Sequence, residues 1–135
     1  MVGSLIRVVS LVILIGLMVT FLKENNKPRM VVVLKQLNTE YWKTIKVGAE
    51  KAFDDFNIDG QVIAPDSEYS PINQINMLKN VLKRHPDALI VAPTQPSAAI
   101  PVLKEYQEKN IPVLIVDTDA GWEDQTTYIG TDHYN

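Results

Sequence analysis

Three short runs limit what this chain can become: Met30–Leu34 (MVVVL), Ala88–Ala92 (ALIVA) and Val113–Val116 (VLIV). Each is apolar at consecutive positions and rich in β-branched residues, the signature of a strand covered on both faces in a parallel sheet. Between them the period changes to that of a helix. Trp42, Ile45, Ala49, Ala52, Phe53 and Phe56 recur at three- and four-residue spacing, with Lys43, Lys46, Glu50 and Asp54 off that stripe. Asn38 or Thr39 can cap this helix. A second helix opens at Ser70-Pro71, an N-cap followed by proline at the first helical position, and carries the stripe Ile72, Ile75, Leu78 and Leu82. A third runs from Ser97 to Lys109, with Pro101 in its first turn or at a kink. Weaker strands fall at Gln61–Ala64, after the Asp59-Gly60 turn, and at Thr127–Gly130.

The resulting order, β-α-β-α-β-α-β-β, predicts an α/β fold: a doubly wound parallel sheet with right-handed crossovers and helices on both faces. The sequence stops at Asn135, where a further helix is due, so the expected domain is a truncated one.

The amino-terminal stretch belongs to a different environment. Residues 1–22 hold one charge, Arg7, and Val8–Leu22 is an almost unbroken apolar run. At about 1.5 Å per residue that run falls short of a roughly 30 Å hydrocarbon core, but adding Val2–Ile6 with a snorkelling Arg7 reaches it. The segment fits a transmembrane or signal helix. No small-x-small cleavage site follows it, and no cysteine is present to carry a lipid, which favours a retained anchor with membrane contact through residues 5–22. The expected organisation is therefore 1–22 signal anchor or signal peptide, 23–29 linker, and 30–135 folded lobe. Export of the lobe sets the amino terminus inside, although Lys23, Lys27 and Arg29 flank the run on its other side.

Beyond residue 22, 12 Lys and Arg stand against 16 Asp and Glu, without a basic stripe. Nucleic acid is excluded as an expected partner, because phosphate neutralisation needs clustered positive charge. The absence of cysteine removes disulfides, thiolate chemistry and Cys-ligated metal. Two histidines, His85 beside a proline and His133 near the terminus, do not suggest a metal centre. No cofactor is expected.

In open parallel sheets ligands bind at the carboxyl ends of the strands. The loops there are Lys35–Trp42, Pro65–Tyr69, Pro93–Pro96, Asp117–Trp122 and Thr131–Tyr134. They gather carboxylates, amides, hydroxyls and aromatics, which suit adjacent ligand hydroxyls and the flat C–H faces of a sugar.

The segments Leu37–Trp42 with Gly48-Ala49, Gln74-Ile75 with Leu78, Asp87–Thr94, Ile111–Val113 with Asp117, and Ile129–Asp132 together resemble the ribose and galactose class of periplasmic sugar-binding proteins. They are also similar to the ligand domain of lac-repressor-type regulators. The resemblance runs from about Met30 to Asn135 and implies the amino-terminal lobe of a two-lobed protein that encloses a small sugar and delivers it to an ABC importer. It also implies ligand contacts from the aromatic pair Tyr41 and Trp42, from Thr39, and from the carboxylate Asp117. Two positions depart from it: Thr118 follows Asp117 where many relatives have Arg, and His133 follows Asp132 where many have Asn.

The residues support a wider candidate set of Lys35, Thr39, Tyr41, Trp42, Gln95, Asp117, Asp119 and Asp132. Each has a second reading. Trp42 also fits the buried stripe, Lys35 can bind a ligand or pair with Asp117, and Gln95 can cap a helix or face the cleft. Asp119, Asp132 and His133 also serve as solvated loop or capping residues. Asp117 ends an apolar strand, where an unpaired carboxylate is costly.

Rival functions divide by role. A membrane-anchored sugar sensor presenting its ligand to a two-component histidine kinase shares the fold, and its partner is a sensor kinase instead of an ABC permease. A small phosphatase-like enzyme is suggested by Asp117-Thr118-Asp119, yet haloacid-dehalogenase-type enzymes carry that pattern after the first strand, where this chain has Lys35-Gln36-Leu37. There is no Gly-x-Ser-x-Gly elbow and no glycine-rich phosphate loop. The sequence reads as a binder placed outside the cytoplasm, not an enzyme.

Overall fold

The computed structural model describes residues 2–66 and 70–130, with the backbone alone for residues 19–25. Helix α1 (Val2–Asn25) leads into β1 (Arg29–Val33), α2 (Glu40–Asp55), β2 (Asp59–Ile63), α3 (Pro71–Lys83), β3 (Ala88–Val91), α4 (Pro96–Glu108), β4 (Val113–Val116) and β5 (Thr127–Ile129). All neighbouring strands pair in parallel, in the order β2-β1-β3-β4-β5. The chain steps one way from β1 to β2 and the other way from β2 to β3. The order therefore reverses at β1, which puts α2 on one face of the sheet and α3 with α4 on the other.

Strand alternation sorts the core into two layers. Val31, Val33, Leu89, Val91, Val113 and Ile115 face α3 and α4, packing with Leu78, Val81, Leu103 and Tyr106. Val32, Leu34 and Ala92 face α2 through Trp42 and Phe53. Side chains of one strand point alternately to opposite faces, so both layers draw on the same apolar run. No helix joins β4 to β5; there Trp122, buried in the loop, packs into the α3 and α4 layer.

The three helices that cross the sheet end alike, on a residue with left-handed backbone: Asn57 (φ 56), His85 (φ 48) and Asn110 (φ 57). After α2 and α4 the next N–H reaches back to the helix, Ile58 to Phe53 O and Ile111 to Tyr106 O, both at 2.9 Å. This Schellman closure satisfies the last carbonyls and turns an apolar residue into the core just before a strand begins. Pro86 occupies the same place after α3 without an N–H to donate.

Two stripe positions differ from expectation. Phe56 is the C-cap of α2 and lies 76% exposed, because the left-handed turn at Asn57 gives its place in the core to Ile58. Ile72 is 71% exposed, because α3 is phased to turn Gln74, Leu78, Val81 and Leu82 inward. Strand limits shift by one or two residues, and Pro101 lies inside α4, past its first turn.

Helix α1 continues three residues past Leu22 into the segment read as a linker. Its large apolar side chains between Val2 and Met18 are exposed. Among the described residues no helix is long and apolar enough to cross a membrane.

Candidate functional site

The carboxyl ends of β1, β3 and β4 lie side by side, and Gln74 holds two of them together. Fully buried, its Nε2 donates to Leu34 O at 3.2 Å and Ala92 O at 2.9 Å, while its Oε1 accepts from Thr94 N at 2.8 Å. One amide thus satisfies three backbone groups at the ends of two strands. The loop after β1 is tied further by Asn38, whose Nδ2 donates to Asp66 O at 2.8 Å.

Thr39 caps α2, with Oγ1 accepting from Trp42 N at 3.5 Å, so α2 starts with the two aromatics in its first turn. Trp42 turns inward and is 5% exposed, whereas Tyr41 is 56% exposed. Their rings meet edge to face with centroids 4.9 Å apart.

Asp117 sits beyond β4 with φ 68, and Thr118 N donates across it to Val116 O at 2.8 Å. A three-residue closure around a positive φ is the rarer, strained form of γ-turn, and aspartate tolerates left-handed backbone better than most residues. The turn brings the carboxylate to residues from β1 and α2. Lys35 Nζ lies 3.1 Å from Asp117 Oδ2, and Tyr41 OH donates to Oδ1 at 2.9 Å. Lys35 also donates to Thr118 Oγ1 at 2.7 Å, and Thr118 Oγ1 donates to Asp117 Oδ2 at 3.2 Å. Lys35 Nζ stands 6.0 Å from the Trp42 ring centroid, at the outer limit of a cation–π contact. Tyr128 OH donates to Asp117 O at 3.3 Å.

The electrostatics follow from these contacts. Partial burial pushes the Asp117 carboxyl up, but the hydrogen bonds from Tyr41 and Lys35, the Lys35 charge and the Thr118 hydroxyl outweigh it and hold the group below its ordinary value. The same bond raises the Tyr41 phenol, which would lose a proton beside a carboxylate.

Next to this cluster an open groove of about 400 Å³ runs between α2 and the sheet, lined by Tyr41, Trp42, Ile45, Val116, Asp117 and Ile129 among others. A larger hollow of about 530 Å³, by Lys27, Phe53, Asp54 and Gly60, lies at the amino ends of the strands. The site belongs to the smaller groove, because the convergent polar groups are there and the larger hollow has only surface charges dispersed around it.

Of the residues expected from sequence, Lys35, Tyr41, Trp42 and Asp117 come together, while the Thr39 hydroxyl serves as the N-cap of α2. Asp119 does not join them: its Oδ1 accepts from Gly121 N at 3.0 Å and from Gln125 Nε2 at 3.5 Å, fixing its own loop. Gln95 is exposed at the N-cap position of α4, where its backbone carbonyl accepts while its side chain makes no capping bond. Asp132 and His133 lie outside the described residues. Thr118 and Tyr128 were not anticipated; a hydroxyl beside a strand-end carboxylate was the available signal for Thr118. Among the described residues no cluster of His, Cys, Asp or Glu could hold a metal ion.

A profile for the periplasmic binding protein domain matches residues 30–135. The chain belongs to the periplasmic binding protein family. Within that family it is 31% identical over 96 residues to a D-ribose/D-allose-binding protein of Pseudomonas aeruginosa, covering 67% of this chain and 29% of the relative. It superposes with a TM-score of 0.72 and 32% identity on the periplasmic component of an ABC-type sugar transport system from Hahella chejuensis, covering 76% of this chain and 38% of that one. A periplasmic solute-binding protein of an ABC transporter from Actinobacillus succinogenes, solved with D-allose, is similar at 28% identity and a TM-score of 0.66, with 67% and 32% covered. The chain thus spans about a third of the length of these family members. Its α/β parallel sheet is that of a periplasmic-binding-protein lobe.

Proposed function

We propose that this lobe contributes half of a sugar-binding cleft in the substrate-binding component of an ABC importer, working outside the cytoplasm and held at the membrane by α1. The observation that carries the reading is the Lys35–Asp117–Tyr41 cluster at the carboxyl edge of the sheet in a periplasmic binding protein. A carboxylate accepts from a sugar hydroxyl, an ammonium donates to one, and an exposed ring offers an apolar plane for C–H groups. Relatives named for ribose and allose support a small neutral sugar as ligand.

The proposal concerns the whole binding protein, of which the chain represents about a third in its relatives. Enclosing a ligand requires a second surface facing this edge, so residues 1–135 alone should bind D-ribose or D-allose no tighter than millimolar. Amide shifts followed by NMR should move at Lys35, Tyr41 and Asp117 as either sugar is added. Movement confined to the hollow by Gly60, or micromolar affinity for these residues alone, would contradict the reading.

Anchoring is inferred from the sequence, where the apolar run Val8–Leu22 is read together with Val2–Ile6, and from the exposure of the large apolar side chains between Val2 and Met18. The full chain should float with lipid vesicles after alkaline carbonate washing, and a chain starting at residue 26 should not. Equal recovery of both in the soluble fraction would reject the anchor.

A further inference from the structure

The passage from α1 into the lobe is short. Helix α1 ends at Asn25 and β1 begins at Arg29, leaving Asn26, Lys27 and Pro28 between them. The last of these is already fastened to the sheet, where Pro28 O accepts from Asp59 N at 2.9 Å. Arg29 is held more firmly: its backbone N–H donates to Asp87 Oδ2 and its Nη2 to His85 O, both at 2.7 Å, while its carbonyl accepts from Asp87 N at 2.8 Å. Only Asn26 and Lys27 lie between α1 and these ties. Fully extended, they carry the chain about 10 Å from Asn25 to Pro28.

That reach is small beside the lobe. Helix α2 runs from the carboxyl edge of the sheet to its amino edge and, with 16 residues, is about 24 Å long. The polar end of α1, Lys23–Asn25, adds only about 5 Å to the tether. Among the described residues α1 packs against no other element, so the tether alone joins it to the lobe. With the apolar part of α1 in a bilayer, the carboxyl edge cannot face the headgroups unless Pro28 and Arg29 leave the sheet.

The amino edge also offers an apolar contact. The three helices that cross the sheet end there, and the turn at Asn57 leaves Phe56 76% exposed at that end of α2. A ring in this position suits the boundary between headgroups and acyl chains. Charge supplies no comparable attraction, because Asp54, Asp59 and Asp87 are interleaved with Lys27, Lys83 and Arg84.

We infer that the amino edge of the sheet is a membrane-apposed surface, held over lipid headgroups by the short tether and touching them through Phe56, with the carboxyl edge directed away from the bilayer. This rests on the anchoring of α1 proposed above and goes beyond it by fixing which way the lobe faces.

The test places the 1–135 chain in phosphatidylcholine bicelles that contain a lipid with a gadolinium-chelating headgroup and compares amide relaxation across the lobe. Enhancement should be severalfold larger at Asn57, His85 and Asn110, at the three helix ends, than at Leu37, Thr94 and Thr118 on the carboxyl edge. The gradient should survive high salt, since no charge attraction sustains it. A long Gly-Ser insertion between Asn26 and Lys27 should reduce the gradient and leave the chain bound to the bicelles. Phe56→Ser should weaken the enhancement at Asn57. Equal enhancement at the two edges, or more at the carboxyl edge, in a bicelle-bound chain would overturn the orientation and leave the anchor standing. An undiminished gradient in the insertion variant would overturn the tether as its cause. A chain that does not associate with bicelles would overturn the anchor and the orientation together.

Discussion

At the scale of single residues, Asp117 combines a strained backbone with a carboxylate that already accepts from Tyr41, Lys35 and Thr118, and the two need different substitutions to be told apart. Asn keeps the tolerance for φ 68 and removes the charge, whereas Ala loses both. Asp117→Asn should therefore fold normally and weaken sugar binding by about tenfold or more, as for a lost charge-assisted hydrogen bond, measured by NMR titration. Asp117→Ala should in addition lower the thermal midpoint. The pH dependence has a definite sign. Because its folded pKa lies below the ordinary value, Asp117 contributes stability that is complete above the unfolded pKa and fades as pH falls through the lower folded one. Removing the Lys35 charge should move that loss to higher pH, observable as a raised titration midpoint of the Asp117 carboxyl in Lys35→Met. An unmoved midpoint would show that the ion pair does not persist in solution. Lys35, Tyr41 and Asp117 were legible in the sequence because each follows a recognisable strand at the carboxyl edge of the sheet. The left-handed turn that aims Asp117 was not, since aspartate at a strand end is common and nothing local demands a positive φ.

At the scale of elements, the helices were visible from their period, but their phase was not fully so. Gln74 shows why. A polar residue at an inward position reads as a flaw in an apolar stripe, yet it replaces solvent for Leu34 O, Ala92 O and Thr94 N, groups that strand pairing leaves unmatched at the sheet's end. Gln74→Leu should cost about 2–4 kcal/mol in denaturant unfolding, because buried backbone groups lose their partner. Tyr106→Phe offers a milder comparison. Its hydroxyl donates to Leu78 O at 2.6 Å within the α3 and α4 layer, where burial raises the phenol's pKa, and its loss should cost about 1–2 kcal/mol. If Tyr106→Phe proved the more damaging change, the view that Gln74 fastens β1 to β3 would be wrong. Gly60 shows a steric constraint that sequence reads only as a turn signal: a Cβ there would run into the Phe53 ring. The exposed positions Phe56 and Ile72 mark where a three-and-four spacing overshoots the end or start of a helix.

At the scale of the whole molecule, the parallel sheet follows from the alternation of strand and helix with short connections, whereas its reversal at β1 is seen in the strand order. The reversal matters functionally because it opens a crevice between loops that leave β1 and β3 toward opposite faces. Asp117, from β4, reaches that crevice through Lys35 and Tyr41. The two faces are unequal: α3 and α4 cover one, α2 the other, and the groove beside α2 extends to Ile129 on the short edge strand β5. Sequence could place these elements in order but could not show the groove, whose walls come from residues far apart in the chain. The central claim is that this carboxyl edge is where sugar is held. Intermolecular nuclear Overhauser contacts between D-allose and the chain test it most directly. The account predicts contacts from sugar ring protons to the Tyr41 ring and to the Asp117 and Thr118 backbone, and none to Phe53 or Gly60 in the hollow at the opposite edge. Contacts to that hollow, or none at Tyr41 and Asp117 with the sugar near saturation, would contradict it.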